Sequence, residues 1–311
     1  VEALRRRLDH RDDLEARLIG RSPQMAKVRQ LILDVAGAAV DVLIFGETGT
    51  GKEMVARCLH DLSGAKQENY VALNCGGMAD NLLDSELFGH EPGAFTGAQK
   101  RRIGKIEYAS GGTLFLDEVE SMPMNMQIKL LRVLQERVIE RLGSNQLVPV
   151  SCRVVAASKD DLKLLSDQGK FRADLYYRLN VVRIELPPLR ERREDIPALY
   201  DQFLLQAAKR YNRPPPPLTP EHLRRLMALD WPGNIRELRN AAECHALGIG
   251  HDAPASGGGE SQSLTETVEN YERLLIANEF TRQQGNVART SEALKVARTT
   301  LHDKLKKYGL I

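Results

Sequence analysis

Two short segments carry residue types whose spacing could split a nucleoside triphosphate. The first, Gly46, Glu47, Thr48, Gly49, Thr50, Gly51 and Lys52, sets three glycines ahead of a lysine, with an apolar run before it and a helical pattern after it. Glycines let backbone N–H groups turn inward around phosphate oxygens, and the helix that follows offers its positive end. Lys52 would reach the outer phosphates. The general pattern continues with Ser or Thr to hold magnesium; here Glu53 stands in that place, so the metal must rely on Asp117, water and the phosphates. The second segment, 113–118, is an apolar run ending in two adjacent carboxylates. Asp117 is placed for the magnesium shell and Glu118 to orient or deprotonate the attacking water. Alone, such acids read as a solvated turn. About 65 residues beyond a phosphate loop, they read as catalytic.

Two further groups of side chains could act on the same phosphates. Arg172 and Arg178 lie six residues apart in 171–178, and an arginine delivered to a γ-phosphate, commonly from a neighbouring subunit, stabilises transition-state charge. The alternative is a pair of surface arginines matched to Asp174 or nearby glutamates. Arg236 opens a helical pattern after Trp231, Pro232 and Gly233, where it would face the phosphates or cap a local acid cluster.

The elements that must position these residues follow from periodicity. Short β-branched runs at 41–45, 70–74, 113–117, 153–157 and 181–186 alternate with helical stretches, which predicts an α/β fold with a mostly parallel sheet covered on both faces. After Pro187 and Pro188 helical patterns at 196–208, 218–229 and 234–247 predict a small helical domain. Residues 251–263 (DAPASGGGESQS from Asp252) read as a flexible linker. Beyond it, Val268, Tyr271, Leu274 and Leu275 give an amphipathic helix ended by Gly285, and two shorter helices are expected at 287–294 and 299–308. At the other end, residues 1–18 carry five arginines against five acids, with Leu4, Leu8, Leu14 and Leu18 at mixed helical spacings: a linker helix or a dimerising coil. The expected domains are therefore 1–17, 18–190, 191–250, 251–263 and 264–311.

Composition narrows the class. A 311-residue chain with 42% hydrophobic and 28% charged residues and net charge +2 fits a globular protein of two or three domains, without bulk attraction to nucleic acid. No apolar run spans a membrane and no signal peptide opens the chain, which predicts a cytoplasmic protein. A start at Val1 rather than Met points to a missing upstream segment. Cys58, Cys75, Cys152 and Cys244 are scattered and read as buried thiols, not as a metal site or disulfide framework.

The 93–98 segment (Gly93, Ala94, Phe95, Thr96, Gly97, Ala98) fits neither chemistry nor periodicity: small residues surround one aromatic. Composition leaves two readings equal, an interaction point on a glycine-hinged tip or a plug folded back on its own domain.

Together GETGTGKE (46–53), LNCGG (73–77), DSELFGHE (84–91), GAFTGA (93–98), TLFLDE (113–118), FRADLYYRLN (171–180), PPLRERREDIP (187–197) and WPGNIRELRN (231–240) resemble the bacterial enhancer-binding proteins, AAA+ activators of sigma-54 RNA polymerase. The resemblance runs from about residue 18 to residue 247. It implies an AAA+ P-loop NTPase with a helical lid, ATP and Mg2+ as cofactors, and a homo-oligomeric ring, a hexamer assembled from dimers. It implies that Phe95 and Thr96 touch sigma-54, with the rest of 93–98 forming that contact. Asn74 becomes a switch partner of Glu118, Arg172 and Arg178 become trans-acting arginine fingers, and Arg236 a second-sensor residue. Glu53 is shared by the family. Ser158 and Lys159 depart from its Thr-Asn or Thr-His, which leaves Lys159 without a role.

The end of the chain resembles a Fis-type helix-turn-helix. Residues 285–311 hold six basic side chains against two acidic ones, a local +4. The resemblance implies a recognition helix at 298–307 reading double-stranded DNA through Arg298, Thr299, Thr300, His302 and Lys304. Lys295 stands at a usual turn glycine and Thr290 and Ser291 at a usual alanine pair, so a plain three-helix packing module is the alternative. Phrases such as RIGKIEYASGGTLFLDE (102–118) and KLKKYGLI (304–311) are similar to C4-dicarboxylate transport regulators of two-component systems. That similarity implies a receiver domain absent from this chain and a sensor histidine kinase as partner. Two other function classes compete: a general AAA+ remodeller, and a DNA-binding repressor that only senses nucleotide.

Overall fold

The computed structural model describes residues 2–65, 67–249, 276–277, 279–280, 282–283, 285–294 and 296–308, with 2–9 described by backbone alone. The chain divides into two compact units, Val1–Pro254 and Ala255–Ile311. In the first, α1 (Glu2–Arg17) and α2 (Pro23–Ala36) precede β1 (Val42–Phe45), and α3 (Lys52–Asp61) follows the glycine-rich loop. Next come β2 (Tyr70–Asn74), α4 (Asp80–Phe88), a small hairpin of β3 (Gly89–His90) and β4 (Arg102–Ile103), α5 (Lys105–Tyr108) and β5 (Thr113–Asp117). Then follow α6 (Met124–Glu136), a second hairpin of β6 (Val138–Glu140) and β7 (Leu147–Pro149), and β8 (Arg153–Ser158). α7 (Leu162–Asp167), α8 (Ala173–Leu179) and β9 (Val182–Glu185) complete the α/β part.

The main sheet is all parallel in the order β2-β5-β8-β1-β9. The five strands lie where the β-branched runs predict them, to within two residues at each end. Their side chains alternate between two separate cores, as a strand's period of two requires. Leu43, Leu114, Leu116, Val154 and Ala156 pack on one face with residues of α4, α6 and α8. Val42, Ile44, Phe115, Val155 and Ala157 pack on the other with α2 and α3. Burial on both faces explains why these strands read as continuous apolar runs. Leu14 and Leu18 belong to the second core, and Arg17 reaches Asp61 at 2.6 Å, so the end of α1 is seated on this unit.

The helical part contains α9 (Ile196–Arg210), α10 (Pro220–Ala228) and α11 (Asn234–Leu247), packed through Leu199, Phe203, Trp231, Leu238 and Ala242. Inside it the rings of His222 and His245 stack at 4.7 Å, and Tyr200 Oη meets His245 Nδ1 at 3.0 Å. Burial and the neighbouring His222 lower the His245 pKa. One expectation is corrected here. Cys58, Cys75 and Cys152 are buried, which lifts their thiols to about 11, 12 and 11, but Cys244 is exposed on α11. Its helix turns it away from the apolar stripe of Leu238 and Ala242.

In the second unit, α12 (Val287–Leu294) and α13 (Arg298–Lys307) close over Ile276, Leu301 and Leu305. Gly285 sits at φ +77° with its N–H on the Phe280 carbonyl, the helix stop that its sequence position predicts. Asn286 caps α12 through its side chain. Thr290 and Ser291 are buried where alanines are usual, and each hydroxyl donates to a backbone carbonyl, Asn286 O and Ala288 O, at 2.8 Å. The expected linker at 251–263, the helix of Val268, Tyr271, Leu274 and Leu275, and Lys295 lie outside the described residues. No described helix is long and apolar enough to cross a membrane.

Candidate active site

Strand β1 delivers the glycine-rich loop to the C-terminal edge of the sheet, and α3 starts inside it. Gly51 precedes α3 at φ +105°, with no side chain capping the first turn. The helix therefore points free N–H groups into the loop, the geometry that anions fill. Lys52 Nζ folds back into the same hollow, donating to the Gly46 carbonyl at 2.6 Å and the Glu47 carbonyl at 3.1 Å. Burial lowers its pKa, while Asp117, Glu120 and Glu118 oppose that shift. A loop that curls around an ammonium ahead of an uncapped helix N-terminus fits a triphosphate. Glu53 is exposed and lies 3.0 Å from Arg57 on the outer face of α3, away from the hollow.

Strand β5 ends in the two acids. Asp117 lies in register with Asn74 at the end of β2, and burial raises its pKa. Such a half-buried carboxylate beside Lys52 fits a divalent cation, which would relieve that burial. Glu118 adopts φ +53°, a left-handed conformation uncommon for glutamate, and it persists only where surroundings impose it. Asn74 Nδ2 donates to Glu118 Oε1 at 3.3 Å, while Asn74 Oδ1 accepts from Gly76 N at 2.7 Å. Lys159, at the end of β8, lies 3.9 Å from Glu118 Oε2. Lys52, Asn74, Asp117, Glu118 and Lys159 are thus brought to one edge.

The helical part closes over this edge through contacts that periodicity does not reveal. The Ile235 amide donates to the Gly49 carbonyl at 2.9 Å, and a Cβ on Gly49 would run into the Gly233 carbonyl. Asn234 Nδ2 donates to Thr48 O at 3.0 Å and Glu47 Oε2 at 3.2 Å. Arg190 forms a two-pronged pair with Glu47, at 2.6 and 2.8 Å. Arg192, fully buried, donates to the Thr50 carbonyl at 3.2 Å. Asp195 accepts from the Arg21 and Ser22 amides and from the Ser22 hydroxyl, at 2.6 to 2.9 Å. In the sequence these residues sit in the charged 187–197 run and look like surface. The signal in the sequence is the resemblance of 187–197 and 231–240 to the enhancer-binding proteins.

Arg236 stands beside Gly49, exposed, and among the described residues no hydrogen bond or ion pair engages it. Arg172 and Arg178 are not brought to the phosphate loop of their own chain. Arg172 pairs with Asp174 at 2.6 Å, and Arg178 donates to the Leu134 carbonyl at 2.7 Å.

The 93–98 loop rises from the β3–β4 hairpin. Its neck is closed by Gly93 N–H on the Ala98 carbonyl at 2.8 Å. Phe95 is 45% exposed and touches the buried His90 ring edge-on at 5.0 Å. It enters neither core, so the plug reading does not describe this state. Beneath the loop, Arg141 is 5% exposed and reaches Glu107 at 2.7 Å and Glu91 at 3.0 Å. Leu142 exchanges backbone bonds with Gly89 and Glu91, tying the second hairpin to the first. On α13, Arg298, Thr299, Thr300 and His302 are exposed and Lys304 half-buried, opposite the inward Leu301 and Leu305.

Comparison with known proteins follows the same division. Residues 18–185 match the sigma-54 interaction domain, 190–250 an AAA+ ATPase lid domain, and 267–308 the Fis family of bacterial regulatory proteins. The chain is 54% identical over 311 residues to DctD, a C4-dicarboxylate transport transcriptional regulatory protein of Pseudomonas aeruginosa, covering 99% of the chain and 67% of that relative. It is 50% identical over 299 residues to DctD of Rhizobium meliloti, covering 94% and 64%. The crystal structure of NtrX from Brucella abortus in complex with ATP superimposes with a TM-score of 0.70 at 34% identity, covering 94% of this chain and 69% of that one. The chain thus spans about two thirds of these proteins' length.

Proposed function

The chain belongs to the AAA+ ATPases built on a sigma-54 interaction domain, and from that membership we propose that it is an ATP-driven activator of sigma-54 RNA polymerase in the cytoplasm. Bound magnesium-ATP would supply the γ-phosphoryl group and the cation that neutralises it. The 46–52 amides and Lys52 hold the phosphates, and Asp117 holds the metal. Glu118 takes the proton of the attacking water, and Asn74 holds Glu118 back until the pocket is filled. Arg236 faces the same pocket from the lid. Arg172 and Arg178 serve a neighbouring copy in a ring, a hexamer assembled from dimers, by giving up Asp174 and the Leu134 carbonyl.

The reading is carried by one observation: a half-exposed Phe95 on a two-glycine tip, above a base pinned by Arg141, in the same domain as the phosphate loop. The tip contacts sigma-54 and transmits the work. The α13 face of Arg298, Thr299, Thr300, His302 and Lys304 enters a major groove of upstream DNA. Similarity to the transcriptional regulatory protein DctD supports a regulatory output role, which the sequence resemblance to two-component regulators sets under a sensor histidine kinase. Phe95→Ala is the test. It should preserve ATP hydrolysis and abolish open-complex formation at a sigma-54 promoter; unchanged promoter opening refutes the proposal. Filter binding across salt tests the second unit, whose DNA affinity should fall steeply as salt rises.

A further inference from the structure

Sheet order places β8 between β5, which ends in Asp117, and β1, which feeds the phosphate loop. Whatever follows β8 therefore projects between the two halves of the pocket. That residue is Lys159. Its Nζ stands 3.9 Å from Glu118 Oε2 and 3.9 Å from Glu120 Oε1, beyond hydrogen-bond reach of either. One cation is shared between two carboxylates.

The two carboxylates differ in every other respect. Glu118 is 38% exposed, and its second oxygen accepts from Asn74. Glu120 has a side chain only 4% exposed. The Ser158 hydroxyl and the backbone N–H groups of Glu120 and Lys159 face the Glu120 carboxylate, but the hydroxyl donates to the Asp160 carbonyl at 2.8 Å and neither Glu120 oxygen completes a hydrogen bond. A carboxylate buried in that way is costly unless a cation lies beside it, so Glu120 restrains the ammonium more strongly than the better solvated Glu118. Lys52 also attracts Glu120, but no ion pair joins the two and its ammonium is held by the Gly46 and Glu47 carbonyls, so Lys159 is the nearer cation.

We propose that Lys159 and Glu120 are a positioning pair for Glu118. Glu120 anchors the ammonium on the buried side, so Lys159 restrains the Glu118 carboxylate without closing on it, and Glu118 stays free to turn toward water. This rests on the reading of Glu118 as the base. Without Glu120 the ammonium has one carboxylate left and closes on Glu118. Without both, no ammonium traps the base, and Asn74 alone holds it.

Steady-state ATP hydrolysis by the full chain tests this as a cycle of variants, with nucleotide affinity measured alongside. Glu120→Gln should lower kcat about tenfold with KM for ATP within about twofold. Lys159→Met should raise kcat about threefold, again without moving KM. The double variant should recover at least the wild-type kcat, an interaction that additive effects cannot produce. Lys159→Arg with Glu120→Gln should stay slow, since the charge persists. A double variant no faster than Glu120→Gln overturns the pair, and so does a rise of tenfold or more in KM for Lys159→Met, which would place Lys159 on the nucleotide. Should Glu120→Gln not fold, Lys159→Met decides alone: a lowered kcat is fatal. A wild-type chain that binds ATP without hydrolysing it sinks the proposed function as well, whereas hydrolysis with an additive cycle sinks this pair only.

Discussion

The nucleotide pocket and the 93–98 loop are built on opposite plans. In the pocket the loop is held from several sides: Gly49 meets the lid through its carbonyl and through the space a side chain would need, and the Glu47 side chain is held by Arg190 and Asn234. In the loop, added Cβ atoms at Gly93 or Gly97 would meet nothing, and Phe95 keeps one edge-on ring contact. The base of that loop nonetheless resembles the pocket, with Arg141 sunk between two glutamates. A tightly determined seat below a loosely determined tip is what a lever requires. Strain at the pocket can be transmitted to the tip only if the seat does not yield.

The largest expected break is chemical. Glu118→Gln should retain ATP binding and lose turnover by about 10²- to 10⁴-fold, the range for removing a general base, checked by binding and single-turnover assays. Undiminished hydrolysis would move the base elsewhere. Arg141→Met should be the costliest change at the seat, about 3 kcal/mol in chemical denaturation, because it strands Glu107 in a poorly solvated site and leaves Glu91 only the longer pair with Arg101. Gly49→Ala should cost about 2 kcal/mol and weaken nucleotide binding, since the Gly233 carbonyl must move and φ is +79°. Gly97→Ala, strained by φ alone at +104°, should cost about 1 kcal/mol and leave nucleotide affinity unchanged. Equal costs at the two glycines would erase the contrast between pocket and tip. Phe95→Ala should change stability by less than about 0.5 kcal/mol, as expected of a half-exposed side chain outside both cores.

The lid offers a test by pH. His245 is buried against His222, so its folded pKa lies below that of the unfolded chain. As pH falls through about 6.5, the unfolded chain takes up the proton first. Stability should therefore decline below that pH, by at most about 1.4 kcal/mol per pH unit from this group, and stop declining once the folded pKa is passed. His245→Gln should flatten the slope of melting temperature against pH.

How far the sequence was legible depends on how each feature is encoded. The three inner strands were legible because both faces are buried, which writes apolar runs at 42–45, 114–116 and 154–157, while the edge strands β2 and β9 are only partly buried and show through their β-branched and aromatic residues. The phosphate loop was legible because its turns admit few residue types, and the 117–118 acids were legible by their chemistry, since φ +53° at Glu118 disfavours glutamate. The two hairpins were not, since strands of two or three residues are too short to show a period. Arg192 and Asp195 escaped for another reason. Their burial is made affordable by distant backbone partners at Thr50, Arg21 and Ser22, which a local window cannot see. Glu120 hid two residues beyond the acids that drew attention, and Cys244 betrayed nothing to separate it from the three inner thiols.

Asp195 also joins two places where the polypeptide crosses a boundary. Residues 21–22, where the backbone enters the nucleotide unit, and residue 195, where it leaves for the lid, share a single carboxylate. A tug or twist on the entering segment would be felt at the lid hinge without travelling through the sheet. Under the proposed function, that shared carboxylate would let the N-terminal side act on the lid without touching a single phosphate-binding atom.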